Sequence, residues 1–147
     1  MYYVRNKSKK RVINIVTVGG ILLLITGILC GCSVEKANRT KVKDLEYQIV
    51  AQEDVPEELL VQINEKKAAD FKMTYETSEN LYIVRGYGEQ ATGGYSIQVK
   101  EIYLSTNAVF FQTELIGPRK GETITKSPSY PYIIIMTKKV DKNVVFE

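Results

Sequence analysis

The uncharged stretch at residues 12–30 determines how much of this chain is left to build a folded domain. It is about nineteen residues long and contains the run Ile21-Leu22-Leu23-Leu24-Ile25. Five basic residues precede it: Arg5, Lys7, Lys9, Lys10 and Arg11. A basic segment followed by an apolar run is typical of an export signal that is removed from the mature protein. The folded part must therefore come from the roughly 115 residues that follow, which suffice for one hydrophobic core.

The sequence Leu29-Cys30-Gly31-Cys32, which closes the apolar run, resembles a lipobox. Small residues before the cut let the backbone enter a peptidase groove, and the thiol after the cut carries the lipid. We therefore predict a lipoprotein signal peptide at residues 1–31 and lipid attachment at Cys32, on the extracytoplasmic face of a bacterial cell membrane. Palmitate-type acyl chains anchor firmly, because each buried methylene contributes about 0.8 kcal/mol. The alternative is an uncleaved transmembrane helix, since the run is near the minimum length that spans a bilayer.

The charge of the chain is concentrated in this signal. All seventeen acidic residues lie at or after Glu35, so removal of residues 1–31 leaves fifteen basic residues against seventeen acidic ones. The predicted mature protein has a net charge of about −2, although the whole chain carries +3. A nucleic-acid partner is therefore not expected, because such partners favour a basic surface.

The residue types that catalysis most often needs are scarce. The chain has no histidine, which excludes Ser-His and Cys-His nucleophile pairs and the commonest zinc ligand. Cys30 and Cys32 are its two cysteines, and one intervening residue is poor geometry for a disulfide. We expect no enzymatic activity, no metal site and no cofactor.

The predicted mature chain divides into a short tether and one domain. Residues 32–43 are polar and predict a lipidated tether, and residues 44–147 predict a single domain. Asp54 followed by Glu57 fits a capping box that starts an amphipathic helix, which we expect to end near Asp70. Leu59 and Ile63 fall on one side of that helix.

After the helix, apolar residues recur with a period of two, which is typical of strands. The predicted strands are residues 45–50 before the helix and residues 71–76, 81–87, 95–104, 109–116, 132–137 and 144–146 after it. The fold class is α+β and mainly β, with one amphipathic helix followed by a mostly antiparallel sheet or small sandwich. We expect the helix to cover one sheet face, and residues 132–137 to form a central strand buried on both faces.

The motif Thr92-Gly93-Gly94-Tyr95, with the loop Gly117-Pro118 and the later pair Pro131-Tyr132, is similar to that of a known family. It resembles the PrcB-like C-terminal domain of protease complex subunits over about residues 84–140. The resemblance implies a non-catalytic protein that supports the assembly or stability of a secreted or surface protease.

Seven residues are candidates for contact with such a partner: Thr92, Gly93, Gly94, Tyr95, Tyr130, Pro131 and Tyr132. Tyrosine is favoured where proteins meet, but it is also favoured in strands, so a purely structural role for these residues stays open. The leading hypothesis is a lipid-anchored accessory protein that binds or stabilises another exported protein. The alternatives are a cell-surface lipoprotein that binds a peptide or small ligand, and a structural envelope protein.

Overall fold

The computed structural model describes residues 36–147, of which Ala37–Glu147 form one compact unit. The predicted signal peptide, the lipobox and Cys32 lie outside the described residues. Within residues 36–147, no helix is both long enough and apolar enough to span a bilayer.

Eight strands and one helix make up the domain. The strands are β1 (Lys41–Asp44), β2 (Gln48–Ile49), β3 (Asp70–Glu76), β4 (Asn80–Tyr87), β5 (Ser96–Ser105), β6 (Ala108–Ile116), β7 (Tyr132–Lys138) and β8 (Asn143–Phe146). A 3-10 turn (Gln52–Asp54) and helix α1 (Glu57–Lys66) lie between β2 and β3. The fold is therefore mainly β with one helix, as the sequence predicts.

The strands form two four-stranded sheets. Sheet A has the order β1-β5-β6-β8 and sheet B the order β2-β7-β4-β3. Every pairing is antiparallel except that of β8, which runs parallel to β6. The predicted sandwich is thus confirmed, with one parallel pair at the edge of sheet A.

The main core lies between the two sheets. Ile83 and Ile135 from sheet B pack in one cluster with Val109 and Phe111 from sheet A, and all four are almost completely buried. Ile134, between Ile133 and Ile135 on β7, belongs instead to the cluster under the helix. This alternation confirms that the apolar run of β7 is a central strand buried on both faces.

Helix α1 covers the outer face of sheet B, as predicted. Leu59 and Ile63 are fully buried against Phe71 and Val84. The predicted capping box is wrong: Asp54 lies in the 3-10 turn, and Pro56 is the N-cap residue, without a side-chain hydrogen bond. Proline fixes φ near the helical value, so a helix can begin directly after it without a capping side chain.

The segment before β2 is more structured than a tether. β1 begins at Lys41, inside the segment assigned to the tether, and Lys41 lies over the Tyr103 ring at 5.6 Å. Arg39 pairs with Glu147 at 2.8 Å. On this outer face of sheet A, Tyr103 stacks on Phe110 with ring centroids 5.0 Å apart.

The two ends of the sandwich differ. One end carries short turns at residues 77–79, 106–107 and 139–142. The other carries two longer loops, residues 88–95 between β4 and β5, and residues 117–131 between β6 and β7. We call the second end the loop end, because these two loops lie side by side there. All seven candidate partner residues lie in these loops or at the first residue of β7.

Candidate functional site

The two loops of the loop end are joined by backbone hydrogen bonds. The Gln90 N–H donates to the Ser129 carbonyl at 2.8 Å, and the Ser129 N–H donates back to the Gln90 carbonyl at 3.0 Å. The Gly93 N–H donates to the Thr125 carbonyl at 2.9 Å, and the Ser129 hydroxyl donates to the Thr92 carbonyl at 2.6 Å. The structure therefore brings the Thr92–Tyr95 motif together with the segment that leads into Tyr130.

Gly94 lies where both a special backbone conformation and close packing are required. Its φ is +86°, in the left-handed region that favours glycine. A Cβ placed there would lie 2.9 Å from Ile124 Cγ2 and 3.0 Å from Pro118 Cβ. Gly94 of one loop therefore packs against Pro118 of the other. Both residues belong to the motifs that carry the family resemblance, so these motifs are in contact.

The three residues of the Tyr130-Pro131-Tyr132 stretch have different environments. Tyr130 is 36% exposed, and its hydroxyl donates to the Glu89 carboxylate at 2.9 Å, which raises the pKa of Tyr130. The Pro131 carbonyl accepts a hydrogen bond from the Tyr87 N–H at 3.0 Å. Tyr132 packs partly into the cluster under the helix, and burial raises its pKa. Tyr130 is therefore the tyrosine of this stretch that is available to a partner.

Below the loops, Arg85 and Tyr87 fix the end of β4. The Arg85 guanidinium pairs with Asp70 at 2.7 Å and lies 4.0 Å from the centre of the Tyr87 ring. It also donates to the carbonyls of Phe71 and Gly86. The Tyr87 hydroxyl is 2.7 Å from the Thr113 hydroxyl on β6, so a hydrogen bond joins the two sheets directly beneath the loop end.

A shallow groove extends from the loop end along the outer edge of β7. It has a volume of about 330 Å³ and is lined by the start of β7, including Tyr132, and by the segment from the end of β2 into the 3-10 turn, including Ile49, Val50 and Glu53. The groove exists because β2 pairs with β7 at only two positions, Met136 and Ile135, and the chain then turns away into the 3-10 turn. Beyond Val50, whose N–H donates to the Ile134 carbonyl, no strand of the described residues pairs with the start of β7 on this side.

Several residues that build the loop end were not predicted from the sequence. Thr125 and Ser129 hold the glycine loop through hydrogen bonds, and Ile124 packs against Gly94. Their polar or ordinary apolar character gives no sign of these contacts. A signal was present in Gly93-Gly94, since adjacent glycines at the start of a strand are consistent with a positive φ or with another backbone passing close by.

The geometry defines a two-sheet sandwich whose loop end is held by internal hydrogen bonds and displays tyrosine and backbone groups. Residues 81–138 match the family model described as PrcB C-terminal. The match covers less than half of the chain but includes both loops of the loop end and the four strands that carry them. It confirms the resemblance to the PrcB-like family. In coarse terms, the family points to an accessory subunit of a protease complex.

Comparison with curated proteins and with solved structures found no significant match to the chain.

Proposed function

We propose that this protein is a lipid-anchored, extracytoplasmic accessory protein that binds or stabilises another exported protein, a protease or its precursor. The match of residues 81–138 to the PrcB C-terminal family is the observation that carries the proposal. It includes the whole loop end, where two separate loops are held in one arrangement. A preorganised surface of this kind loses little conformational entropy when it binds a partner.

The anchor part of the proposal is supported by the sequence. The basic segment, the apolar run and the ending Leu29-Cys30-Gly31-Cys32 follow one another in the order that lipoprotein processing needs. The acyl chains on Cys32 would hold the protein at the membrane, and the domain would face outward.

The non-catalytic part is supported by the side chains at the loop end. The hydroxyls of Ser129 and Tyr130 form hydrogen bonds within the fold, as do those of Tyr87 and Thr113 beneath the loops, and the chain has no histidine to act as their base. The arrangement suits recognition by shape and hydrogen bonding.

Replacement of Cys32 by serine is expected to abolish lipid attachment, because serine has no thiol to form the thioether. Phase partition in a cloud-point detergent should move the wild-type chain to the detergent phase, with a lipid mass on its N-terminal peptide. The matched control is Cys30→Ser, which keeps a small residue before the cut and should be lipidated normally. An uncleaved chain with no lipid in the wild type would contradict lipidation and favour the transmembrane alternative.

Partner binding is tested by crosslinking the tagged chain in intact cells and identifying the recovered proteins by mass spectrometry. We expect selective recovery of an exported protease, reduced roughly tenfold by Tyr130→Ala, since exposed aromatic residues dominate interface energies. Val61→Ala is the matched control, because Val61 is an exposed apolar residue on α1, outside the loop end. Recovery of no exported protein above background would contradict the proposal and favour the ligand-binding alternative.

A further inference from the structure

The edges of the two sheets are protected against strand addition to different degrees. β1 and β3 carry charged side chains along their length: Lys41, Lys43 and Asp44 on the first, and Asp70, Lys72 and Glu76 on the second. Lys72 faces the space between the sheets, with its Nζ 6.0 Å from the Phe146 ring. Charged residues, especially an inward-pointing lysine, discourage another strand from pairing at an edge.

The edge of β8 is protected against strand addition in another way. Val144 and Phe146 pack against the main core, and Val145 packs against Tyr103 and Phe110 on the opposite face. Beyond its end, the Glu147 carboxylate is held by Arg39. β8 therefore offers a partner little free apolar surface.

β2 differs from these three edges because neither of its residues is charged, whereas the exposed Val42 of β1 lies between Lys41 and Lys43. Ile49 is 66% exposed and Tyr47, just before the strand, is 39% exposed. The Val50 N–H donates to the Ile134 carbonyl, so the backbone groups of Val50 face β7. Since successive residues of a strand point their N–H and C=O groups in opposite directions, those of Ile49 face away from β7. A partner strand would find both hydrogen-bonding groups and an apolar contact there.

The charge around β2 indicates which partner fits. Residues 45–55, which form β2, the 3-10 turn and the chain next to them, contain Glu46, Glu53 and Asp54 and no lysine or arginine. Glu46 lines a groove at the start of β2, together with Lys138 of β7. Glu53 lines a second groove, which begins at the end of β2. The chain that forms the open edge is therefore acidic, whereas Lys41 and Lys100 lie with Asp44 and Glu101 beside Tyr47 on the side toward sheet A.

We infer that the edge of β2 is a strand-addition site for an extended segment of a separate exported polypeptide, in which apolar residues alternate with lysine or arginine. This inference rests on the proposed function and names where and how the partner is held. The partner's backbone would pair with Ile49, its apolar side chains would contact Ile49 and Tyr47, and its basic side chains would lie near Glu46 and Glu53. A second copy of this chain fits poorly, because it would bring the same acidic groups against each other.

The first test is a binding titration with the full chain in detergent and a fluorescent peptide of about nine residues that alternates valine and lysine. We expect Ile49→Pro to weaken binding about tenfold or more, because it removes the outward N–H and leaves the bonds to β7 intact. Val61→Ser, which changes an exposed apolar side chain on α1, should change the affinity by less than about twofold. A peptide with glutamate in place of lysine should bind about tenfold more weakly.

Ile49→Lys serves as a second variant that keeps the strand backbone, and its added positive charge should also weaken binding of the lysine peptide. Equal binding of that peptide to the wild type and to both Ile49 variants would overturn the proposal and indicate charge attraction alone. Failure of the wild type to bind the peptide would also overturn it. A wild-type dimer in sedimentation equilibrium that Ile49→Pro dissociates would overturn it in favour of a second copy.

The crosslinking experiment in cells separates this inference from the proposed function. If the wild type and Ile49→Pro recover the same exported protein equally, the proposed function stands and the β2 site is wrong. If the wild type recovers no exported protein, the proposed function fails, and the peptide titration still decides the β2 site.

Discussion

Replacement of Gly86 by alanine is expected to lower the free energy of unfolding by about 3 kcal/mol. Gly86 lies opposite Phe71 in the β3–β4 pair, and the Phe71 ring covers it. A Cβ at position 86 would lie 2.0 Å from Phe71 Cε1 and 2.5 Å from Cδ1. These distances are too short for the Phe71 ring to keep its position. The ring must leave its place beside Leu59 and Ile63, which opens the contact between helix α1 and sheet B.

Urea unfolding of the wild type, the two single variants and the double variant gives this measurement. Phe71→Ala alone should also be destabilising, since a buried aromatic side chain is lost. The double variant Gly86→Ala with Phe71→Ala should cost clearly less than the sum of the two single changes, because the clash disappears with the ring. If the losses of unfolding free energy in the two single variants add up to that of the double variant, the position of the Phe71 ring does not depend on Gly86.

Replacement of Gly94 by alanine is expected to cost about 3 kcal/mol, and replacement of Gly121 about 1 kcal/mol. The two glycines have nearly the same positive φ, +86° and +87°, so alanine meets the same backbone penalty at both. They differ in surroundings: a Cβ at Gly94 meets Ile124 and Pro118, whereas one at Gly121 meets nothing within 4 Å. The difference between the two costs therefore measures the contact between the loops.

The same urea unfolding experiment compares these two variants. A second measurement, amide hydrogen exchange at Gly93, reports on the hydrogen bond to Thr125 that holds the loops together. It should become faster in Gly94→Ala and stay unchanged in Gly121→Ala. Equal losses of stability in the two variants would contradict close packing of the loops.

Much of the fold could be predicted from the sequence because its elements have strong local patterns. The alternation of Phe71, Met73 and Tyr75 and the unbroken apolar run of β7 indicate strands with different burial. Both assignments agree with the structure. The spacing of Leu59 and Ile63 gave the buried side of the helix correctly.

The less predictable parts depend on long-range pairing. β2 is shorter than predicted, because Leu45 bonds to sheet A through the Ile102 carbonyl while Gln48 and Ile49 pair with sheet B. The chain changes sheets between them, and no local pattern indicates this. At the loop end, the roles of Thr125 and Ser129 likewise depend on partners more than thirty residues away.

The change of sheets between β1 and β2 affects the order in which the domain can fold. β1 pairs with β5 and β2 pairs with β7. Both N-terminal strands can therefore pair only after segments that are synthesised much later. The loop-closure entropy of such distant contacts slows their formation. We therefore expect β1 and β2 to join their sheets late in folding, after β5 and β7 have formed.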